Sequence, residues 1–157
     1  MWISRTAMLS IRPWRGGSTC RRYTADEDSP FRAPWQKCLG RQRSRAEAWY
    51  TTWPILYEFL RVTTHPRVMR RPWKAPAAWK FVATLLASPG LSVLVPTERH
   101  PEVAAQVITE LPQIAGNLLH DAHTAILMRE HGIRRVCTRD MDFHQFPFLE
   151  IVDPVQG

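Results

Sequence analysis

From Trp49 to Val152, short runs of apolar and β-branched residues alternate with stretches of helical spacing, and this alternation constrains the fold of the 157-residue chain more than any other feature. Trp49 to Trp53 reads as a strand, and Pro54 then starts a helix through Ile55, Phe59 and Leu60. His65-Pro66 stops that helix, because the residue before a proline avoids the helical region. Arg67 to Ala75 forms a basic loop. A helix is predicted from Pro76 to Ala87 with Trp79, Val82, Leu85 and Leu86 on its inner side, and the apolar run Leu91 to Val95 reads as a buried strand. Thr97 caps a further helix, interrupted near Pro101 and resuming to Leu111. Asn117 to His131 is a helix ended by Gly132; Ile133 to Thr138 and Leu149 to Val152 are strands on either side of a polar loop from Asp140 to Phe148. Strands alternating with helices imply an α/β fold with a mostly parallel sheet covered on both faces.

One globular domain is read over residues 23–154, preceded by an atypical segment over residues 1–22. Met1 to Tyr23 contains five arginines, no acid and no helix or strand period. It reads as disordered or displaced in frame, with a transit peptide or an RNA-binding arm as the alternatives. Within the globular part, Ser29 and Pro30 open one more helix, reaching Gly40. The net charge of +7 is concentrated at the start: residues 1–49 hold ten of the 21 Lys and Arg and four of the 14 acids, so they carry +6 and the remainder +1. Cys20, Cys38 and Cys137 form no closely spaced pair, so neither a disulfide framework nor a thiolate zinc site is indicated. No run is long enough for a membrane span and no apolar signal core follows the first arginines, so a cytoplasmic protein without a membrane is expected.

In an open parallel sheet the functional crevice lies beyond the carboxyl ends of the strands. That rule selects acids by position. Asp140 and Asp142 follow the strand ending at Thr138, Glu58 lies one turn into the helix after the Trp53 strand, and Asp121 falls on the apolar stripe of the Asn117 helix beside Leu118, Ala122 and Ala125. Each has an ordinary alternative: Glu58 as a solvated helix residue, Asp140 and Asp142 as turn residues, Asp121 as a carboxylate favoured by the helix dipole. Together they suggest a divalent-cation site, since clustered carboxylates repel one another unless a cation or proton intervenes. Oxygen donors with few histidines select Mg²⁺, or Mn²⁺, over zinc, and such sites serve phosphodiester hydrolysis. His120 and His123 bracket Asp121, but no third histidine stands at a ligand spacing.

Three segments resemble the acidic motifs of PIN-domain endoribonucleases of the VapC toxin type. Trp53-Pro54-Ile55-Leu56-Tyr57-Glu58-Phe59-Leu60-Arg61 resembles the second motif, Gly116-Asn117-Leu118-Leu119-His120-Asp121-Ala122 the third, and Thr138-Arg139-Asp140-Met141-Asp142-Phe143 the closing T-x-D-x-D-F motif. The resemblance implies a three-layer α/β/α sandwich, an Mg²⁺-dependent endoribonuclease with Glu58, Asp121, Asp140 and Asp142 at the metal site, an RNA substrate, a VapB-like antitoxin and a homodimer. One motif is missing. The family opens with a buried strand carrying an aspartate, whereas Gly16-Gly17-Ser18-Thr19-Cys20-Arg21-Arg22 is polar and glycine-containing. A frame displacement or a decayed gene accounts equally for that departure, and weak cleavage is expected of a chain lacking this acid. The missing corner of the site is expected near residues 16–22.

Overall fold

The computed structural model describes residues 7–9, 48–138 and 140–153. Five strands form one sheet: β1 (Ala7–Leu9), β2 (Trp49–Thr52), β3 (Leu91–Leu94), β4 (Arg135–Cys137) and β5 (Glu150–Val152). Their order is β3-β2-β1-β4-β5, and every pairing is parallel. Among the described residues four helices accompany them: α1 (Trp53–Thr64), α2 (Ala75–Leu86), α3 (His100–Glu110) and α4 (Leu118–Glu130), with a 3-10 turn at Met141–Gln145. The crossover carrying α1 and α2 leads outward from β2 to β3, and the one carrying α3 and α4 leads back across the sheet to β4. Right-handed connections running in opposite directions cover opposite faces, which gives the α/β/α sandwich.

β1 takes the central position from within the first 23 residues, where the sequence shows no strand period. Met8 lies level with Tyr50 on one side and with Val136 on the other. The three-residue strand has no period of its own to read; its place is set by two long-range parallel neighbours. The segment Gly16–Arg22, the predicted helix from Ser29 to Gly40, Cys20 and Cys38 lie outside the described residues.

Elsewhere the sequence punctuation works as chemistry requires. The Thr52 hydroxyl accepts the Ile55 amide at 3.4 Å and Pro54 occupies the first turn, so β2 passes directly into α1. Ile55, Leu56 and Phe59 are then buried, each contributing about 1.5–3 kcal/mol by leaving water. Gly132, with φ of 69°, takes the left-handed conformation that ends α4. Two details differ. Trp79 is 46% exposed, and the inner side of α2 is instead Ala78, Val82 and Leu85. Pro101 sits in the first turn of α3, so it starts that helix where an interruption was expected, and the Thr97 hydroxyl accepts from the Arg99 amide in the preceding turn.

The main core fills the space between sheet and helices, from Trp49, Phe59 and Val82 through Leu118, Ala125 and Met128 to Val136, Phe143 and Phe146. Val103, Val107 and Ile126 join α3 to α4 in a smaller cluster. No helix among the described residues is long and apolar enough to cross a membrane.

Candidate metal centre

Strand order reverses direction between β1 and β4, so the switch point of this sheet, where a crevice is expected, opens at the carboxyl end of β4. The chain leaves β4 through Thr138, whose buried side-chain oxygen accepts the Asp140 amide at 3.0 Å. Asp140 in turn caps the 3-10 turn, its Oδ1 accepting the Asp142 amide at 3.1 Å. Two acids separated by one residue are thereby fixed at the strand exit by local hydrogen bonds. Beneath them Phe143 is fully buried and in aromatic contact with Phe146 at 6.1 Å between centroids, which anchors the turn to the core.

Asp121 comes from the opposite direction, in the first turn of α4. Its place on the apolar stripe is real: the residue is 1% exposed, against 3% for Asp140. The amino end of a helix carries partial positive charge, which favours a carboxylate there. Dipole and site are compatible roles, and the dipole alone does not require burial.

Oxygens of Asp121, Asp140 and Asp142 all lie within 4.8 Å of one another. Three carboxylates in so small a volume, two of them buried, repel one another, and a bound cation would relieve that repulsion. An all-oxygen donor set fits a hard divalent cation. Three of the four acids singled out in the sequence therefore meet.

Glu58 stands outside this trio. Its carboxylate is held in a fork by Arg61, at 2.7 Å from Nε and 2.6 Å from Nη2, and its side chain is 19% exposed. The hydrogen bonds to Glu58 hold the Arg61 guanidinium above its ordinary pKa. An i, i+3 pair on one helix forms readily, so the local partner competes with the site for this acid. His120 is exposed and His123 is half-buried, its ring 5.6 Å from that of His100; neither belongs to the aspartate group. The positioning roles of Thr138 and Thr52 went unread in the sequence, although a threonine two residues before an aspartate at a strand exit is a recognisable turn signal.

In β1, Leu9 is level with Cys137 of β4. Residues 16–22 lie outside the described residues, and in the sequence no acid precedes Asp26.

Comparison with known proteins gives a consistent picture. The PIN domain family matches residues 23–149. Ribonuclease VapC48 of Mycobacterium tuberculosis is 32% identical over 108 residues, spanning 69% of this chain and 74% of the relative. Ribonuclease VapC37 of the same organism is 32% identical over 124 residues, spanning 79% and 85%. Ribonuclease VapC33, also from Mycobacterium tuberculosis, is 29% identical over 126 residues, spanning 73% and 87%.

Proposed function

This chain belongs to the PIN-domain family, on the branch of the VapC ribonucleases, and from that premise we propose that it is a metal-dependent endoribonuclease acting as the toxin of a type II toxin–antitoxin pair. The observation that carries the reading is the aspartate trio at the switch point of the sheet. Asp121, Asp140 and Asp142 hold Mg²⁺ or Mn²⁺, and Glu58 completes the set on release from Arg61. When bound, the cation neutralises charge on the attacked phosphate and lowers the pKa of a water. The protein's own part is positional: Thr138 and the Asp140 cap fix two ligands, α4 fixes the third, and Phe143 keeps the turn from shifting. An RNA substrate, a VapB-like antitoxin, a homodimeric assembly and a cytoplasmic location belong to the same proposal.

A second reading is favoured by one observation, the absence of any acid before Asp26. It makes the chain a PIN module that binds antitoxin or RNA and cleaves poorly, for want of one ligand. Single-turnover cleavage of a mixed cellular RNA pool separates the two. The chain as written is compared with a version in which an apolar strand bearing an aspartate replaces the residues before Tyr23, with EDTA and Asp121→Asn controls. Loss of one ligand removes on the order of several kcal/mol of barrier lowering, so the repaired version is expected to cut orders of magnitude faster. Equal rates would show the first acid to be unnecessary here. No metal-dependent cleavage by either version would refute the enzyme reading.

A further inference from the structure

Charge is divided unevenly along the globular part of the chain. Between Glu58 and Glu98 lie six Lys and Arg and no acid, whereas residues 98–157 hold five Lys and Arg against nine acids. Arg67, Arg70, Arg71, Lys74 and Lys80 are all exposed. Within this basic stretch a groove of about 460 Å³ runs along α2, lined by Trp73, Lys74, Ala77, Lys80, Phe81 and Thr84. Its aromatic wall is braced from behind: Phe81 stacks on Phe59 at 5.1 Å, and Trp73 meets both edge-on at 5.9 and 6.1 Å. The Trp73 amide donates to the Thr63 carbonyl at 2.9 Å, which ties the groove to the far end of α1. Lys74 caps α2 without a side-chain hydrogen bond and no acid follows in the first turn, so the positive end of that helix is uncompensated.

We propose that this groove binds single-stranded RNA away from the cleavage centre, with bases stacked on Trp73 and Phe81 and phosphates held by Lys74 and Lys80. The proposal rests on the reading of RNA as substrate. Alternating aromatic faces and cations match a strand that alternates bases with phosphates. An acidic peptide would satisfy the cations and leave the aromatic wall without a partner. Geometry adds a length requirement. Thr52 lies level with Thr138 at the metal-bearing edge, through the shared register of β1, and Thr63 follows it by 11 residues along α1. That is about 16.5 Å of helix, or about five stacked nucleotides at roughly 3.4 Å each. A trinucleotide cannot occupy both places.

The test uses the full chain carrying Asp121→Asn in EDTA, so that binding is read without cleavage. Labelled RNA of 12 mixed nucleotides and a trinucleotide, about 12 and 3 units long, are titrated over a salt series. Adding Lys74→Ala and Lys80→Ala, both at exposed positions, is expected to weaken binding of the longer RNA about tenfold. The slope of log affinity against log salt is expected to fall by about 1.4, at about 0.7 per single-strand phosphate contact. The trinucleotide, too short to reach from the groove to the strand exits, is expected to bind more weakly than the longer RNA before the lysines are replaced. Unaltered affinity and slope for the longer RNA would overturn the proposal and leave the ribonuclease reading standing. So would a groove that binds poly-glutamate in place of RNA. Intact lysine-dependent RNA binding in a protein that never cleaves would support the groove and remove only the enzyme.

Discussion

Replacing Asp121 by Asn distinguishes a ligand from a structural helix residue, because the two roles predict opposite signs for the metal-free protein. Two carboxylate charges within 4.8 Å repel by about 3.5 kcal/mol or more at an effective dielectric of about 20. Asp121 faces two such neighbours, and its other contacts offset part of that repulsion. Asp121→Asn removes what remains at nearly constant shape, so in EDTA the variant is expected to be more stable by roughly 3 kcal/mol or less, a rise of at most about 6–12 °C for a domain of this size. Adding Mg²⁺ or Mn²⁺ reverses the ranking. A cation at one hundred times its dissociation constant stabilises the wild type by about 2.7 kcal/mol, or about 5–10 °C, and the variant by much less. Differential scanning fluorimetry with and without EDTA measures both. A variant that melts lower without metal, and shows the wild-type metal shift, would refute the reasoning and return Asp121 to an ordinary helix-end role.

The turn and the far end of α4 supply two further expectations. Phe143→Ala, which empties a fully buried aromatic site beneath Asp142, is expected to lower stability by about 3–5 kcal/mol and to reduce the metal shift by loosening the Asp140 cap; urea unfolding with and without Mn²⁺ checks both. Glu130, whose side chain is 1% exposed, feels burial most strongly, which raises its pKa, but hydrogen bonds from the Thr97 hydroxyl, His100 at 2.7 Å and the Thr97 amide at 2.5 Å together bring it down to about 2. A depressed acid stabilises fully above its unfolded value of 4.5 and loses that contribution as pH falls toward 2, so Glu130→Gln is expected to flatten this part of the acid unfolding profile. An unchanged acid limb would show that the Thr97–Glu130–His100 contact is not formed in solution.

Much of the fold was legible because its signals are local. Pro54 after a β-branched pair, Pro66 after His65, and Gly132 after Arg129–His131 each act within a turn of where they stand, and the elements end there. Asp121 was legible through its spacing from Leu118, Ala122 and Ala125, which placed an acid on a buried stripe. Other features are decided by contacts that local spacing does not show. β1 is specified by β2 and β4, which lie tens of residues away, so no local period marks it. Trp79 is hydrophobic enough to suggest the core, but Ala78 packs there and the indole is left largely in solvent. Glu58 was assigned to the cluster by motif position, and Arg61 one turn along now holds it. Motif spacing locates the acid but does not choose between a nearby arginine and a cation.

The central claim is that the acids at the exit of β4 and the start of α4 form a cation site. Anomalous diffraction from crystals grown with Mn²⁺ tests it most directly, since the metal's position is seen without reference to activity. The account predicts one strong peak within about 2.1–2.3 Å of oxygens from Asp121, Asp140 and Asp142, lost in Asp121→Asn. A fully ordered trio with no peak at millimolar Mn²⁺, or a peak held by other residues, would contradict it.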